Sequence, residues 1–407
     1  RGMIVTQIDR MTAEHKRTLE ILKSWQKELE SDQNSLSEIF LKSVRIIGAT
    51  CIGVATDHDY SNWTYDVVIV DEAGMITMHD ILVPLTRGKK VILIGDHLQL
   101  PPGGEREFID YLQENGRMGF DESELSGEEK QYRTKLEKVY NTSLFEKLYR
   151  NPRLSQNRVM LKDQYRMHPY IAEYISKAFY NGEYGSPLNK EDRYLNIAGF
   201  DTPIWFIDTA HMAGHEEHEV IQTGGYQNGL EAKIVAKYVA RVIRAIENNR
   251  YRAPTGVKLD FRRDIGVITA YKAQIPLLKK AIIGELTRKN GNEEGYTADE
   301  AREITDSLAI NTLDSFQGCE NQIIFYSFVR SNPWHKIGFL NEVRRQNVMI
   351  TRAKSLLVMV GDSETLTKTK ATTVHDGKDA AWYFDELVKH CKEEEGGYID
   401  YAKEQAK

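Results

Sequence analysis

Short, unbroken apolar runs that end in acidic or polar residues set the texture of this chain. Asp66-Val-Val-Ile-Val-Asp71 and Lys90-Val-Ile-Leu-Ile-Gly-Asp96 come first, and Ile265-Gly-Val-Ile-Thr269, Ile323-Ile-Phe-Tyr-Ser327 and Leu356-Leu-Val-Met-Val360 repeat the pattern later. Such runs lack the apolar/polar alternation of a half-exposed strand. They therefore predict strands buried on both faces, as in a parallel sheet covered by helices. Residues 229–248 and 272–288 read as the helices between them. The stretch from Thr12 to about Ser43 is different: it is charged, lacks Gly and Pro, and places Leu22, Trp25 and Leu29 at helical spacing, with Leu36 and Phe40 continuing after a polar break. That predicts two helices, arranged as a stalk or hairpin.

The predicted fold class is α/β, with two parallel-sheet domains, the first incomplete, and an N-terminal helical segment. Residues 1–43 form the helical segment, 44–160 the remainder of the first domain, 161–370 the second domain, and 371–407 a helical tail. Residues 103–141, rich in Glu, Gly and Lys, read as an insertion or loop.

Composition narrows the class only modestly. With 407 residues, 41% hydrophobic and 28% charged, the chain suits two or three folded domains. A net charge of −6 does not announce a nucleic-acid binder, though it leaves room for a local basic groove. Cys51, Cys319 and Cys391 are far apart and odd in number, which argues against a disulfide framework or zinc module and favours an intracellular, cytoplasmic setting, or a nuclear one in a eukaryote. No apolar run approaches the roughly 20 residues that span a bilayer.

Candidate chemistry begins where the first two runs end. Asp71-Glu72 sits at the carboxyl end of a predicted parallel strand, the edge at which open α/β sheets bind ligands. One carboxylate there suits Mg²⁺ through its water shell, and its neighbour suits an attacking water. The next run ends Gly95-Asp-His-Leu-Gln-Leu-Pro-Pro102, where the neutral amide of Gln99 can sense a γ-phosphate without adding charge. Each feature alone is compatible with an ordinary solvated turn.

Their order and spacing resemble something specific. Asp71-Glu-Ala-Gly and Gly95-Asp-His-Leu-Gln-Leu-Pro-Pro look like motifs II and III of superfamily 1 helicases. Gln164-Tyr-Arg-Met-His-Pro169 looks like motif IV of the branch containing the nonsense-mediated-decay RNA helicase and its DNA-processing relatives. Leu313-Asp-Ser-Phe-Gln-Gly-Cys-Glu320 resembles motif V, and Gly338 through Lys354 resembles motif VI. The ordered set spans residues 44–362.

The resemblance implies two RecA-like domains, ATP and Mg²⁺ as cofactors, and single-stranded DNA or RNA as partner. Asp71, Glu72, Gln99, Arg166 and Arg352 would be catalytic, with Asp71 on the metal and Arg352 as arginine finger. Tyr165, Gly318, Glu320 and Gln99 would hold nucleotide: Tyr165 by stacking, Glu320 through ribose hydroxyls, and Gly318 by letting backbone approach. Thr50, Thr269 and Ser315 would contact nucleic-acid backbone. Two positions depart from the pattern: Cys319 stands where relatives carry Arg or another polar residue, and Ala270 replaces a proline. The resemblance implies 5′-to-3′ movement.

A complete motor of this class also carries Gly-x-x-x-x-Gly-Lys-Ser/Thr, which cradles the β- and γ-phosphates. That string does not occur in the 407 residues, and the chain opens Arg1-Gly2-Met3. The expectation is a truncated portion of a longer helicase, inactive by itself; the alternative is a helicase-derived scaffold that binds nucleic acid or protein without turnover.

Overall fold

The computed structural model describes residues 2–29, 43–56, 63–102, 142–220, 225–289, 294–316, 318–370, 374–375, 377–393 and 395–405. The expected second N-terminal helix with Leu36 and Phe40, the 103–141 insertion, and Gln317 lie outside the described residues. The chain divides into two compact units, residues 1–158 and 159–407.

In the first unit a single helix runs Gly2–Leu29, starting well before the predicted Thr12. β1 (Tyr65–Val70) and β2 (Gly88–Leu93) pair in parallel, with Val70 beside Leu93. A helix, Met78–Leu85, connects them. Thr77 caps it, accepting the Asp80 N–H at 3.3 Å while its own hydroxyl donates to the Asp80 carboxylate at 2.9 Å. This helix seals one face of the pair, where Val70, Ala73 and Ile81 are buried with Val68, Leu85 and Leu93 packed around them.

The opposite face departs from the expectation of burial on both sides. Val67, Ile69, Ile92 and Ile94 are 46%, 61%, 40% and 48% exposed. Among the described residues the packing on this sheet comes from the helix between its strands, with Leu144 and Phe145 of the helix Leu144–Tyr149 joining the same cluster, while Val67, Ile69, Ile92 and Ile94 stay open.

The second unit meets the expectation. β4 (Ile204–Asp208), β8 (Ile265–Thr269), β9 (Ala309–Thr312), β10 (Asn321–Ser327), β11 (Ala353–Gly361) and β14 (Gly397–Asp400) form one sheet in the order β14-β4-β11-β10-β8-β9, every pair parallel. Along β8 all five residues are buried. Ile265, Val267, Ile323, Phe325, Leu356 and Val358 pack against the helices Gly229–Glu247, Gln274–Thr287 and Ala298–Ser307. The alternate residues Ile324, Tyr326, Leu357 and Met359 are equally buried, which is why these runs show no polar alternation.

Among the described residues three antiparallel pairs decorate this unit: β3 (Asn196–Ile197) with β7 (Tyr251–Arg252), β5 (His218–Val220) with β6 (Gly225–Gln227), and β12 (Val374–His375) with β13 (Lys378–Asp379). The region read as a helical tail contains the helix Ala380–Lys392 but also supplies edge strand β14. Gly397 lets that strand lie against Trp205, since a Cβ there would meet the indole at 2.2 Å. So short a run carries no periodicity from which to predict a strand.

A parallel sheet puts all strand exits on one edge and all entries on the other, so Ser327, Thr269 and Thr312 leave at one side. The chain then returns from Thr312 to Asn321 across only eight residues. Parallel crossovers ordinarily need a dozen or more. Phe316 makes the short return fit by lying on β8 at Gly266, where a Cβ would come within 2.6 Å of its ring.

Candidate functional site

In the first unit the candidate residues leave neighbouring strands at one edge. β1 gives Asp71 and Glu72, and β2 leads through Gly95 to Gln99. The two loops are pressed together: a Cβ on Gly74 would meet the Asp96 carbonyl oxygen at 2.6 Å, and one on Gly95 would meet the Gly74 nitrogen at 2.8 Å. Glycine is required at both by space. The Ala73 N–H donates to Ile94 O at 2.8 Å, tying the loops by backbone.

Glu72 sits in the left-handed region at φ 51°, uncommon for a side chain of this kind and costing on the order of 1–3 kcal/mol. Its N–H donates to Asp71 Oδ1 at 3.0 Å, so one Asp71 oxygen is engaged and both carboxylates are exposed. Gln99 donates through Nε2 to Asp96 Oδ2 at 3.1 Å, and Asp96 Oδ1 accepts the Leu98 N–H at 2.9 Å. Asp96 thus orients the amide that the sequence singled out. Thr50 is exposed; its oxygen accepts the Gly53 N–H at 3.0 Å, which leaves the hydroxyl proton to donate.

The second unit gathers a different set at the entry edge of its sheet. Glu320 immediately precedes β10, Arg352 precedes β11, and Arg166 comes from the loop before the helix Pro169–Phe179. Arg166 Nε pairs with Glu320, Arg166 Nη1 donates to Thr351 O at 3.3 Å, and Lys354 Nζ lies 2.7 Å from the other Glu320 oxygen. Burial alone would raise the Glu320 carboxyl, but Lys354 and Arg166 outweigh it and hold the group below its ordinary range. Expected to accept ribose hydroxyls, Glu320 here already accepts from two cations.

The loop around Arg166 is rigid. Gln164 Oε1 accepts the N–H groups of Arg166 and Met167 at 3.0 and 2.8 Å, and Arg193 donates to the carbonyls of Arg166 and Tyr165, each at 2.8 Å. His168 caps the following helix through Nδ1, which accepts the Tyr170 N–H at 3.1 Å. Tyr165, 61% exposed on this braced backbone, offers an open ring face.

Three expected roles meet a different geometry. Arg352, the expected finger, is 3% exposed and turned onto its own unit, donating to Val348 O at 3.0 Å, Cys319 O at 3.3 Å and Thr351 Oγ1 at 3.3 Å. Gly318 has open space around its Cβ position; its φ of +79°, not a close approach, is what calls for glycine. Thr269 corrects the sequence reading outright: it has no exposed surface, and its hydroxyl sits 3.5 Å from the Tyr271 N–H, so it presents nothing to a phosphate. A central strand exit filled by core explains this. Ser315 is exposed, with its oxygen accepting from Thr312 Oγ1 at 3.2 Å.

Sequence reasoning assigned no role to Lys354 or Arg193. Lys354 had a signal, two residues past Arg352 and one into a buried strand; Arg193, far away in sequence, had none. Motifs V and VI are joined by Arg345, whose Nη1 reaches both oxygens of Asp314 at 2.8 Å.

Comparison with known proteins shows the family. Two family profiles, both described as AAA domain, match residues 6–103 and 140–364, the second covering more than half the chain. A "Regulator of nonsense transcripts 1 homolog" of Neurospora crassa is 31% identical over 330 residues, 81% of this chain and 25% of that protein. "Helicase sen1" of Schizosaccharomyces pombe is 29% identical, covering 84% of this chain and 17% of that protein. An uncharacterized ATP-dependent helicase of Methanocaldococcus jannaschii is 27% identical, covering 88% and 44%. The chain thus spans less than half the length of the relatives it matches. The crystal structure of Arterivirus nonstructural protein 10 (helicase) overlaps with TM-score 0.29 at 15% identity, covering 72% of this chain and 38% of that one, too slight an overlap to bear on the fold. Matched by AAA-domain profiles in both units and carrying the ordered motifs, the chain belongs to the AAA-domain family of superfamily 1 helicases that includes the nonsense-transcript regulators.

Proposed function

We propose that this chain is the portion of an ATP-dependent helicase that couples hydrolysis to movement along single-stranded nucleic acid. The observation that carries the reading is the set Arg166, Glu320 and Lys354, two cations and a carboxylate collected from three segments at the entry edge of the second sheet. Permanent and near-permanent cations held on a rigid backbone suit a triphosphate, whose charge they compensate as the phosphoryl group transfers. Arg352 joins that role only if it exchanges its present acceptors for phosphate oxygens.

On the first unit, Glu72 would orient or deprotonate the attacking water, and Gln99 would sense the γ-phosphate. Among the described residues no group of three His, Cys, Asp or Glu is arranged to hold a metal. Mg²⁺ fits the exposed Asp71 all the same, because this ion is commonly held by one or two carboxylates with phosphate oxygens and water completing its shell. Bound there, it would neutralise developing phosphate charge. Thr50 and Ser315 would donate to nucleic-acid phosphates, fixing register without reading sequence.

The decisive experiment uses the full-length protein. Glu72→Gln should abolish nucleic-acid-stimulated ATP hydrolysis while leaving ATP binding intact. Unchanged turnover would remove Glu72 from the chemistry and the motor reading with it.

A further inference from the structure

The exit edge of the second sheet carries an aromatic residue that no motif assigned. After β10 the chain turns sharply at Val329, which adopts φ 71° although it is β-branched and fully buried. Two buried groups hold it there. Glu231 accepts the Val329 N–H at 2.8 Å and the Ser327 hydroxyl at 2.7 Å, and Asn228 Nδ2 donates to Val329 O at 3.2 Å. The turn lays Arg330 over Tyr226 at 3.9 Å and against Glu217 at 2.8 Å.

The loop that follows is fixed at both ends. Ser331 donates to Asp362 at 2.7 Å, and the Asn332 N–H donates to Thr365 Oγ1 at 3.1 Å. Asn332 then closes the loop on itself, accepting the Lys336 N–H at 2.9 Å and donating to Lys336 O at 2.8 Å. At its tip Trp334 is 75% exposed, whereas Trp25, Trp63, Trp205 and Trp382 are all partly buried. A large ring held out on a braced loop is unusual, because so much apolar surface ordinarily goes inside.

The neighbours on this edge say what it meets. Lys336 in the same loop, Lys272 after β8 and Ser315 after β9 are exposed, and all leave the sheet on the side where Trp334 does. Cations and a hydroxyl along an edge match a phosphodiester backbone, while a protein partner would call for a contiguous apolar patch. We propose that Trp334 stacks on a base of single-stranded nucleic acid lying along this edge, with Lys272, Lys336 and Ser315 taking its phosphates. Glu231 and Asn228 are positioning residues that preorganise the loop. This inference rests on the nucleic-acid reading above.

The test titrates the chain with a fluorescein-labelled oligothymidylate and with an abasic strand of equal length. Trp334→Ala should weaken oligothymidylate binding by roughly fivefold to a hundredfold, the range for one base stacked on an aromatic ring, and Trp334→Phe should retain most of the affinity. On the abasic strand the variants should bind alike, and the salt dependence of Trp334→Ala should match wild type because no phosphate contact is lost. Equal binding of oligothymidylate by Trp334→Ala and wild type would overturn the assignment, as would an equal loss on the abasic strand. Failure of the wild-type chain to bind any single strand would instead bring down the nucleic-acid reading itself.

Discussion

The ring of Phe316 occupies the space that a side chain on Gly266 would need. Phe316 Cζ lies 2.6 Å from where a Cβ would be, with Ile324 Cδ1 at 2.7 Å. Overpacking a site closed on both sides costs about 1–3 kcal/mol. Gly266→Ala should therefore lower unfolding free energy by that amount in denaturant titration. Pairing it with Phe316→Leu should recover part of the loss. Strict additivity of the two changes would show that they do not share this space.

Arg166 and Arg352 should behave differently when truncated. The Arg166 pair with Glu320 is more than a third exposed, so Arg166→Ala should cost no more than about 1 kcal/mol of stability. Arg352 is buried and donates to Val348 O, Cys319 O and Thr351 Oγ1 among its partners, and Arg352→Ala would leave these acceptors short of a donor, at about 2–4 kcal/mol. Thermal melting of the two variants separates the cases. Equal melting temperatures would mean that Arg352 is not pinned as seen here.

Acid should destabilise the second unit through His168. Burial pushes its imidazole down to about 4, and its Nδ1 must stay unprotonated to accept the Tyr170 N–H. Since the unfolded chain takes up a proton near the ordinary value of about 6.5, stability is fully present above that pH and is lost as pH falls towards 4, by up to about 3 kcal/mol. His390, likewise pushed down by burial, adds to the same window. His168→Asn keeps a capping acceptor that does not titrate, so it should flatten the stability profile between pH 6.5 and 4. A profile unchanged by the substitution would place the acid sensitivity elsewhere.

The open face of the β1–β2 pair should bind apolar dye. Val67, Ile69, Ile92 and Ile94 make a contiguous apolar surface of the kind that promotes association. Ile69→Ser with Ile92→Ser should reduce anilinonaphthalene sulfonate fluorescence and light scattering, while changing stability by less than about 1 kcal/mol. Undiminished dye fluorescence in the double variant would show that the dye reports another surface.

Much of the second sheet is legible in the sequence. The runs at 265–269, 323–327 and 356–360 announced a doubly covered parallel sheet because their residues are buried on both sides, and β8, β10 and β11 are its centre. The same signature at 67–70 and 91–94 predicted equal burial, yet periodicity reports which residues are apolar and not whether a layer covers them. Motif order singled out Arg166 and Glu320 without foreseeing that they pair, and Lys354 and Arg193 join them only through folding. Thr269 failed because a hydroxyl at a strand end reads the same whether it points to solvent or into core. Trp334 carried no signal, since exposure of a single aromatic depends on how the surrounding loop is tied.

Residues 313–320 join the exit of β9 to the entry of β10. A segment so brief, bridging opposite rims of the sheet and wedged midway by one phenyl ring, has little slack to absorb displacement. If nucleic acid does pull on Ser315, as proposed above, the strain would enter the single 3-10 turn Asp314–Phe316 and press on the Phe316 ring and the β8 strand beneath it.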